Sequence, residues 1–208
     1  SISFVIGYIA TDTDGDTDTG VLPVTVEDDV PEMQSEYSAI LATVDEDELT
    51  GLSTGNPDGD GITTVAMGAA GALNSLVSDG ADEPVTFSLK SVGAGIDSAL
   101  ESKGESIIIT TSGTTLTGTA DGRVVFTLQI GASDGSYAFT LFDQIDHLPN
   151  DVAAGDNQLL GMALDLSGYI IATDYDGDQL TLASGSFQVQ VEDDVPEMQS
   201  EYSAILAT

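Results

Sequence analysis

TTLTGTADGRVVFTLQI (114–130) decides the fold class. Apolar and polar residues alternate along it at the period of a half-buried strand. It reads as two strands, 114–119 and 123–130. PVTFSL (84–89) and SYAFTLF (136–142) carry the same pattern. Working outward, further candidate strands lie at 37–44, 72–77, 105–111, 158–173 and 180–191. Gly, Asp and Ser punctuate them, as in SDGAD (78–82), SGT (112–114) and SDGS (133–136). The longest strand is expected to bend at Gly161 or Gly168. The segment ITTVAMGAAGALNSL (62–76) is Ala-rich, but Gly68 and Gly71 weaken a helix there and favour a strand. Short strands with such turns predict an all-β chain, an antiparallel β-sandwich.

A repeat runs through the chain. VEDDVPEMQSEYSAILAT occupies 26–43 and recurs, letter for letter, at 191–208, an offset of 165 residues. Upstream of each copy, GYIATDTDGD (7–16) parallels GYIIATDYDGD (168–178). Identity this close implies tandem duplication of a domain-sized unit, too long for a solenoid turn. The chain divides into strands closing a preceding repeat (1–26), an acidic linker (27–31), a complete repeat (32–191), a second linker (192–196) and the first strand of a following repeat (197–208). Pro31 and Pro196 suit strand exits, because proline donates no ladder hydrogen bond. The residues of 1–26 are too few to form a core alone, and pairing with 197–208, in the same molecule or a neighbour, is one way to complete a partial sheet. The chain opens inside a strand-like segment and reads as a piece of a longer protein.

Charge narrows the function. The chain has 36 Asp and Glu against 3 Lys and Arg, a net charge of −33. Three basic side chains cannot neutralise this, so cations must. Nucleic acid is excluded as a partner, since a phosphate backbone needs Lys and Arg. No apolar run approaches the ~20 residues that would insert into a membrane. With no Cys and one His, a typical zinc site is excluded and no disulfide can staple the fold.

The acids are grouped rather than spread. Asp12, Asp14, Asp16 and Asp18 form one group, and Asp174, Asp176 and Asp178 repeat it. Glu27, Asp28, Asp29 and Glu32 form the first linker group, repeated by Glu192, Asp193, Asp194 and Glu197. DEDE (45–48), Asp58 and Asp60 in NPDGDG, and Asp79, Asp82 and Glu83 complete the set. Like charges this close repel unless a cation sits between them. Ca²⁺ accepts ~6–8 oxygens in irregular geometry, whereas Mg²⁺ demands a near-regular octahedron. Asn56, Asp58, Asp60 and Gly61 match the first positions of an EF-hand loop, but Met67 stands where its bidentate Glu belongs. The twelfth places counted from Asp12 and Asp174 are Pro23 and Gly185, so the remaining ligands must come from elsewhere in space. The linker acids are expected to supply some of them. DEDE reads equally as a solvated charge run or a ligand group. The turn at 79–83 reads as a plain turn, and His147, in FDQIDHLPND, as a structural turn residue.

The combination ATDxDGD, strand, VEDDVP resembles the junction between tandem extender domains of RTX adhesins, giant type I-secreted surface proteins of Gram-negative bacteria. TTLTGTADGRVVFTLQI with GSYAFTLFDQIDH (135–147) is also similar to that family's repeat. The resemblance covers the complete unit and both flanks. It implies an Ig-like β-sandwich, joined end to end with identical neighbours and stiffened at the joints by several Ca²⁺ ions. Carried over by motif, it implies joint ligands Asp174, Asp176, Asp178, Glu192, Asp193 and Asp194, with an earlier set Asp12, Asp14, Asp16, Glu27, Asp28 and Asp29. Such an array projects a distal ligand-binding region from the cell for biofilm formation or attachment. The chain lacks the glycine-rich nonapeptides and secretion signal of that family. A β-sandwich carbohydrate- or protein-binding module is the alternative, although Trp is absent. An enzyme is not expected, because near-identical tandem copies and a single His favour a spacer.

Overall fold

A computed structural model describes residues 1–57, 59–147 and 163–194. These residues are all-β. Strands β1 (Ile2–Thr11), β2 (Thr17–Val26), β3 (Glu32–Met33), β4 (Ile40–Asp45) and β5 (Val65–Gly68) lead the chain. Then come β6 (Val77–Ser78), β7 (Thr86–Leu89), β8 (Ile96–Ser102), β9 (Glu105–Ser112), β10 (Thr115–Ala120), β11 (Arg123–Ile130) and β12 (Tyr137–Leu141). Last are β13 (Leu164–Asp165), β14 (Ile170–Thr173), β15 (Gln179–Thr181) and β16 (Phe187–Glu192).

One layer of the sandwich is a six-stranded antiparallel sheet, ordered β5-β12-β11-β10-β9-β8. Two three-stranded sheets, β13-β16-β4 and β15-β14-β7, and the short pair β3-β6 accompany it. A single apolar core joins the sheets, with Ile107, Leu116, Phe126, Leu128, Phe139, Phe87, Ile170, Phe187 and Val189 all buried. The alternation read from the sequence is what fills this core: every second residue of β10 and of β16 is buried. The rule breaks in β11, where Val125 and Phe126 are both buried. There the register against β10 shifts between Gly118 and Thr119, a β-bulge that turns one extra residue inward. Gly118 is required at that point, because a Cβ would lie 2.6 Å from the Phe126 ring. Phe126 in turn stacks on Phe139 at 5.3 Å between ring centroids.

Three expectations change. Residues 72–77 are not a strand: Leu73–Leu76 form a 3₁₀ turn that buries Leu73 and Leu76 together, three residues apart, before β6 begins. The long strand breaks, as Gly168 allowed, into β13, a 3₁₀ turn at Ser167–Tyr169 and β14. Residues 158–162, including Gly161, lie outside the described residues. Residues 180–191 split at Ala183–Ser186 into β15 and β16. The sandwich also contains one parallel pair. β16 runs beside β4 with Val191 opposite Val44 and Glu192 opposite Asp45.

β1 and β2 pair with each other over ten residues as an isolated hairpin. Val26 and Val191 hold equivalent places in the repeat, yet Val26 is 53% exposed and Val191 is fully buried. The difference is the partner strand: β16 packs beside β4, whereas among the described residues β2 pairs with β1 alone. Residues 197–208 lie outside the described residues.

The few cations are spent in one place. Arg123 and Lys103 both bind the buried Asp143, Lys103 at 2.8 Å, and Ser53 Oγ donates to the same carboxylate at 2.6 Å. Two of the three basic side chains thus neutralise one aspartate, and among the described residues no ion pair joins a basic side chain to the acidic groups at the linkers.

Candidate metal centres

The two DxDGD loops share one local geometry. The fourth-position glycines, Gly15 and Gly177, sit at φ 102° and 108°, a left-handed conformation that closes the turn. In the first loop, Asp12 Oδ1 accepts from Gly15 N–H at 3.1 Å and Asp16 N–H at 2.9 Å. In the second, Asp174 Oδ1 accepts from Gly177 N–H at 3.0 Å and Asp178 N–H at 2.8 Å. The surroundings differ. Asp12, Asp14 and Asp16 converge within 4.8 Å but are exposed. Asp174 is 5% exposed, and its Oδ2 is buried with no hydrogen-bond donor.

The upstream linker meets this second loop. Asp28, Asp82 and Asp176 bring ligand atoms within 4.8 Å of one another, and Asp174, Asp176 and Asp178 do the same. Asp176 belongs to both groups, which makes one acidic pocket of five carboxylates. The 79–83 turn, expected to be plain, is what supplies Asp82. It is tied in by Tyr175 N–H donating to the Asp82 carbonyl at 3.0 Å and by Ala81 N–H donating to Asp29 Oδ2 at 2.8 Å. Gly80, at φ +65°, admits Asp29 so closely that a Cβ would stand 2.3 Å from Oδ2. Repulsion raises two of these carboxyls. Burial, then the charges of Asp174, Asp28, Asp29 and Asp178, push Asp82 upward. Asp176 is raised first by facing Asp174, then by burial and the neighbouring charges. Two carboxylates face to face need a proton or a cation between them.

The downstream linker meets a different set of residues. The parallel β4–β16 pairing sets Glu192 opposite Asp45, and both lie within 4.8 Å of Asp60 at their ligand atoms. Like charges in register on neighbouring strands are destabilising unless compensated. Asp194 Oδ1 accepts from both the backbone N–H and the Nδ2 of Asn56, at 3.1 and 3.0 Å. Asp193 groups with Glu46 and His147. The DEDE run is therefore not a solvated charge run: Asp45, Glu46 and Asp47 are all 3% exposed or less. Its burial follows from β4, whose C-terminal end is Asp45, beneath the linker. Burial raises Glu46, with His147 and the Ile145 N–H opposing. Burial opposes a charge on His147, but the carboxylates of Glu46, Asp193 and Asp146 outweigh it and its pKa is raised.

The expected site residues thus fall into separate places. Asp174, Asp176 and Asp178 join Asp28 of the linker before the unit, and among the described residues they form no ligand-distance group with Glu192, Asp193 or Asp194. Glu27 joins no such group, Asp29 orders the Gly80 turn, and Asn56 acts as a donor to Asp194. Asp58 lies outside the described residues. Asp82 was expected in a plain turn, His147 as a structural residue and Asp45 and Glu46 only as one of two readings of DEDE, because only tertiary pairing brings these residues to the linkers.

No helix among the described residues is long and apolar enough to cross a membrane. No curated protein and no solved structure matches the chain. The family described as "Domain of unknown function (DUF5801)" matches residues 41–189, which begin just inside β4 and end inside β16 and so take in both faces of the sandwich. With well over half of its length covered, the chain belongs to the DUF5801 family.

Proposed function

We propose that this chain is a calcium-stiffened spacer repeat of a long extracellular adhesin, with its calcium sites at the junctions between identical units. One observation carries the reading. Asp28 and Asp193 occupy the same position of the same linker sequence. Asp28 faces Asp82 and Asp176 of the unit that follows its linker, and Asp193 faces Glu46 and His147 of the unit that precedes its linker. In a tandem array each linker would make both sets of contacts. A short acidic segment would then lie between two acidic surfaces, and in the absence of cations the units repel and swing apart.

Calcium fits the upstream pocket by its chemistry. The donors are all oxygen, they are more numerous than Mg²⁺ ordinarily takes from protein, and the buried Asp174 Oδ2 has no hydrogen-bond partner among the described residues. Asp174, Asp176, Asp178, Asp28 and Asp82 would hold an ion there, and Asp45, Asp60 and Glu192 another at the downstream end. Weak sites with Kd of ~10⁻⁴–10⁻³ M suffice outside a cell, where calcium is millimolar. The reading places the chain at the cell surface of a Gram-negative bacterium, with neighbouring repeats as its partners and no catalytic role.

Small-angle scattering of several consecutive repeats, in millimolar Ca²⁺ and then in EGTA, tests it. A rigid rod that becomes flexible in EGTA is expected. The same shape in both conditions would overturn the reading.

A further inference from the structure

The group at Glu46, His147 and Asp193 differs in kind from the other acidic clusters. It contains the chain's one histidine. The His147 side chain is 7% exposed, and Nε2 is buried without a hydrogen-bond partner among the described residues. The nearest acid oxygen, Glu46 Oε1, stands 3.6 Å away, too far for a hydrogen bond. Oε1 is already held by the Ile145 N–H at 2.7 Å. A buried imidazole nitrogen with no partner is costly, and here it points at two carboxylates. Ligand atoms of all three side chains lie within 4.8 Å of one another.

We propose that Glu46, His147 and Asp193 bind a divalent cation of the Zn²⁺ class in preference to calcium. Hard calcium takes oxygen, whereas imidazole nitrogen with carboxylates suits zinc and its first-row neighbours. Two carboxylates and a neutral imidazole balance a dication. Three protein ligands leave a fourth position for water. A cavity of about 300 Å³, lined by Glu46, Ser53, Asp193 and Asp194 among others, adjoins the group and gives it access. Lys103 also borders that cavity, but its ammonium is engaged by Asp143. The Ile145 N–H fixes the orientation of Glu46, as outer partners of metal ligands do. This is not the Cys/His cage that composition excluded. It would fasten the downstream linker to the body of its own unit. It uses a nitrogen donor and none of the residues assigned to calcium, so an imidazole unmoved by zinc would leave the calcium sites standing.

The single histidine makes the test unambiguous. The ¹⁵N-labelled 208-residue chain, in millimolar calcium, is titrated with ZnCl₂ while the imidazole nitrogens are followed by NMR. One equivalent of zinc is expected to move Nε2 to a metal-bound shift. Calorimetry in the same buffer should show one site that His147→Gln abolishes. Asp193→Asn, at a half-buried linker position, should weaken that site more than about tenfold with an unchanged circular dichroism spectrum. An imidazole unmoved by zinc, the same shift produced by calcium alone, or full affinity in Asp193→Asn would overturn the proposal.

Discussion

Replacing Asp174 by Asn separates a metal ligand from a turn residue, because the two roles use different oxygens. Oδ1 caps the loop through Gly177 and Asp178, and the Asn side chain keeps an oxygen for that task. Oδ2 faces the acidic pocket, and the substitution turns it into an amide donor. Without calcium, the change relieves repulsion from Asp28, Asp82, Asp176 and Asp178, so the variant should melt at or above the wild type in EGTA. With calcium the sign reverses. A site with Kd of ~10⁻⁴–10⁻³ M, in about 10 mM calcium, stabilises the folded form by about 1.4–2.7 kcal/mol. For a unit of this size, that is a rise of roughly 3–10 °C in Tm. The variant should lose this share of the rise and keep only what the downstream site contributes. Thermal unfolding by circular dichroism, in calcium and in EGTA, gives all four numbers. A variant with the wild-type calcium response would refute the metal role of Asp174. One that melts far below wild type in EGTA would show that Oδ2 stabilises the loop directly.

Arg123→Met removes the cation that, with Lys103, neutralises the buried Asp143, and should cost about 3–5 kcal/mol in denaturant unfolding at any calcium concentration. A loss below 1 kcal/mol would mean that Lys103 and Ser53 suffice. At Asp165, burial works to raise the pKa, but bonds from Ser167, Ser184 and Gly185 outweigh it and the pKa is lowered. A lowered folded pKa contributes stability that is present above the ordinary value of 3.8 and lost as pH falls through the folded one. The gap in unfolding free energy between wild type and Asp165→Asn should therefore be largest near neutrality and shrink below pH 3.8, and a gap independent of pH would count against it.

The strands were legible because burial on one face writes itself into the chain at period two. β9 to β12 follow from that alternation, and their hairpin neighbours are adjacent in sequence. β8 (Ile96–Ser102) was not legible: its residues IDSALES carry no strong apolar alternation, and Ala99, at φ 62°, interrupts the ladder. The 3₁₀ turn at Leu73–Leu76 hid for a different reason: Gly68 and Gly71 argued against a helix and left a strand as the alternative, whereas a single turn buries two leucines three apart on one side.

The same division runs through the candidate sites. Grouping of acids, the repeated linker and the large excess of negative charge are properties of local order along the chain, and sequence alone determined them. Which acids meet is a property of strand register. β4 and β16 are separated by more than 140 residues, and only their parallel pairing puts Asp45 against Glu192. The same pairing seats the downstream linker over the buried DEDE run, beside His147. The DYDGD loop reaches the linker before its unit rather than the one after it, because β14 pairs with β7 and the turn leading into β7 carries Asp82 to Asp28. Charge repulsion acts through space and falls with distance, so its partners belong to the tertiary structure, while the charges themselves belong to the sequence.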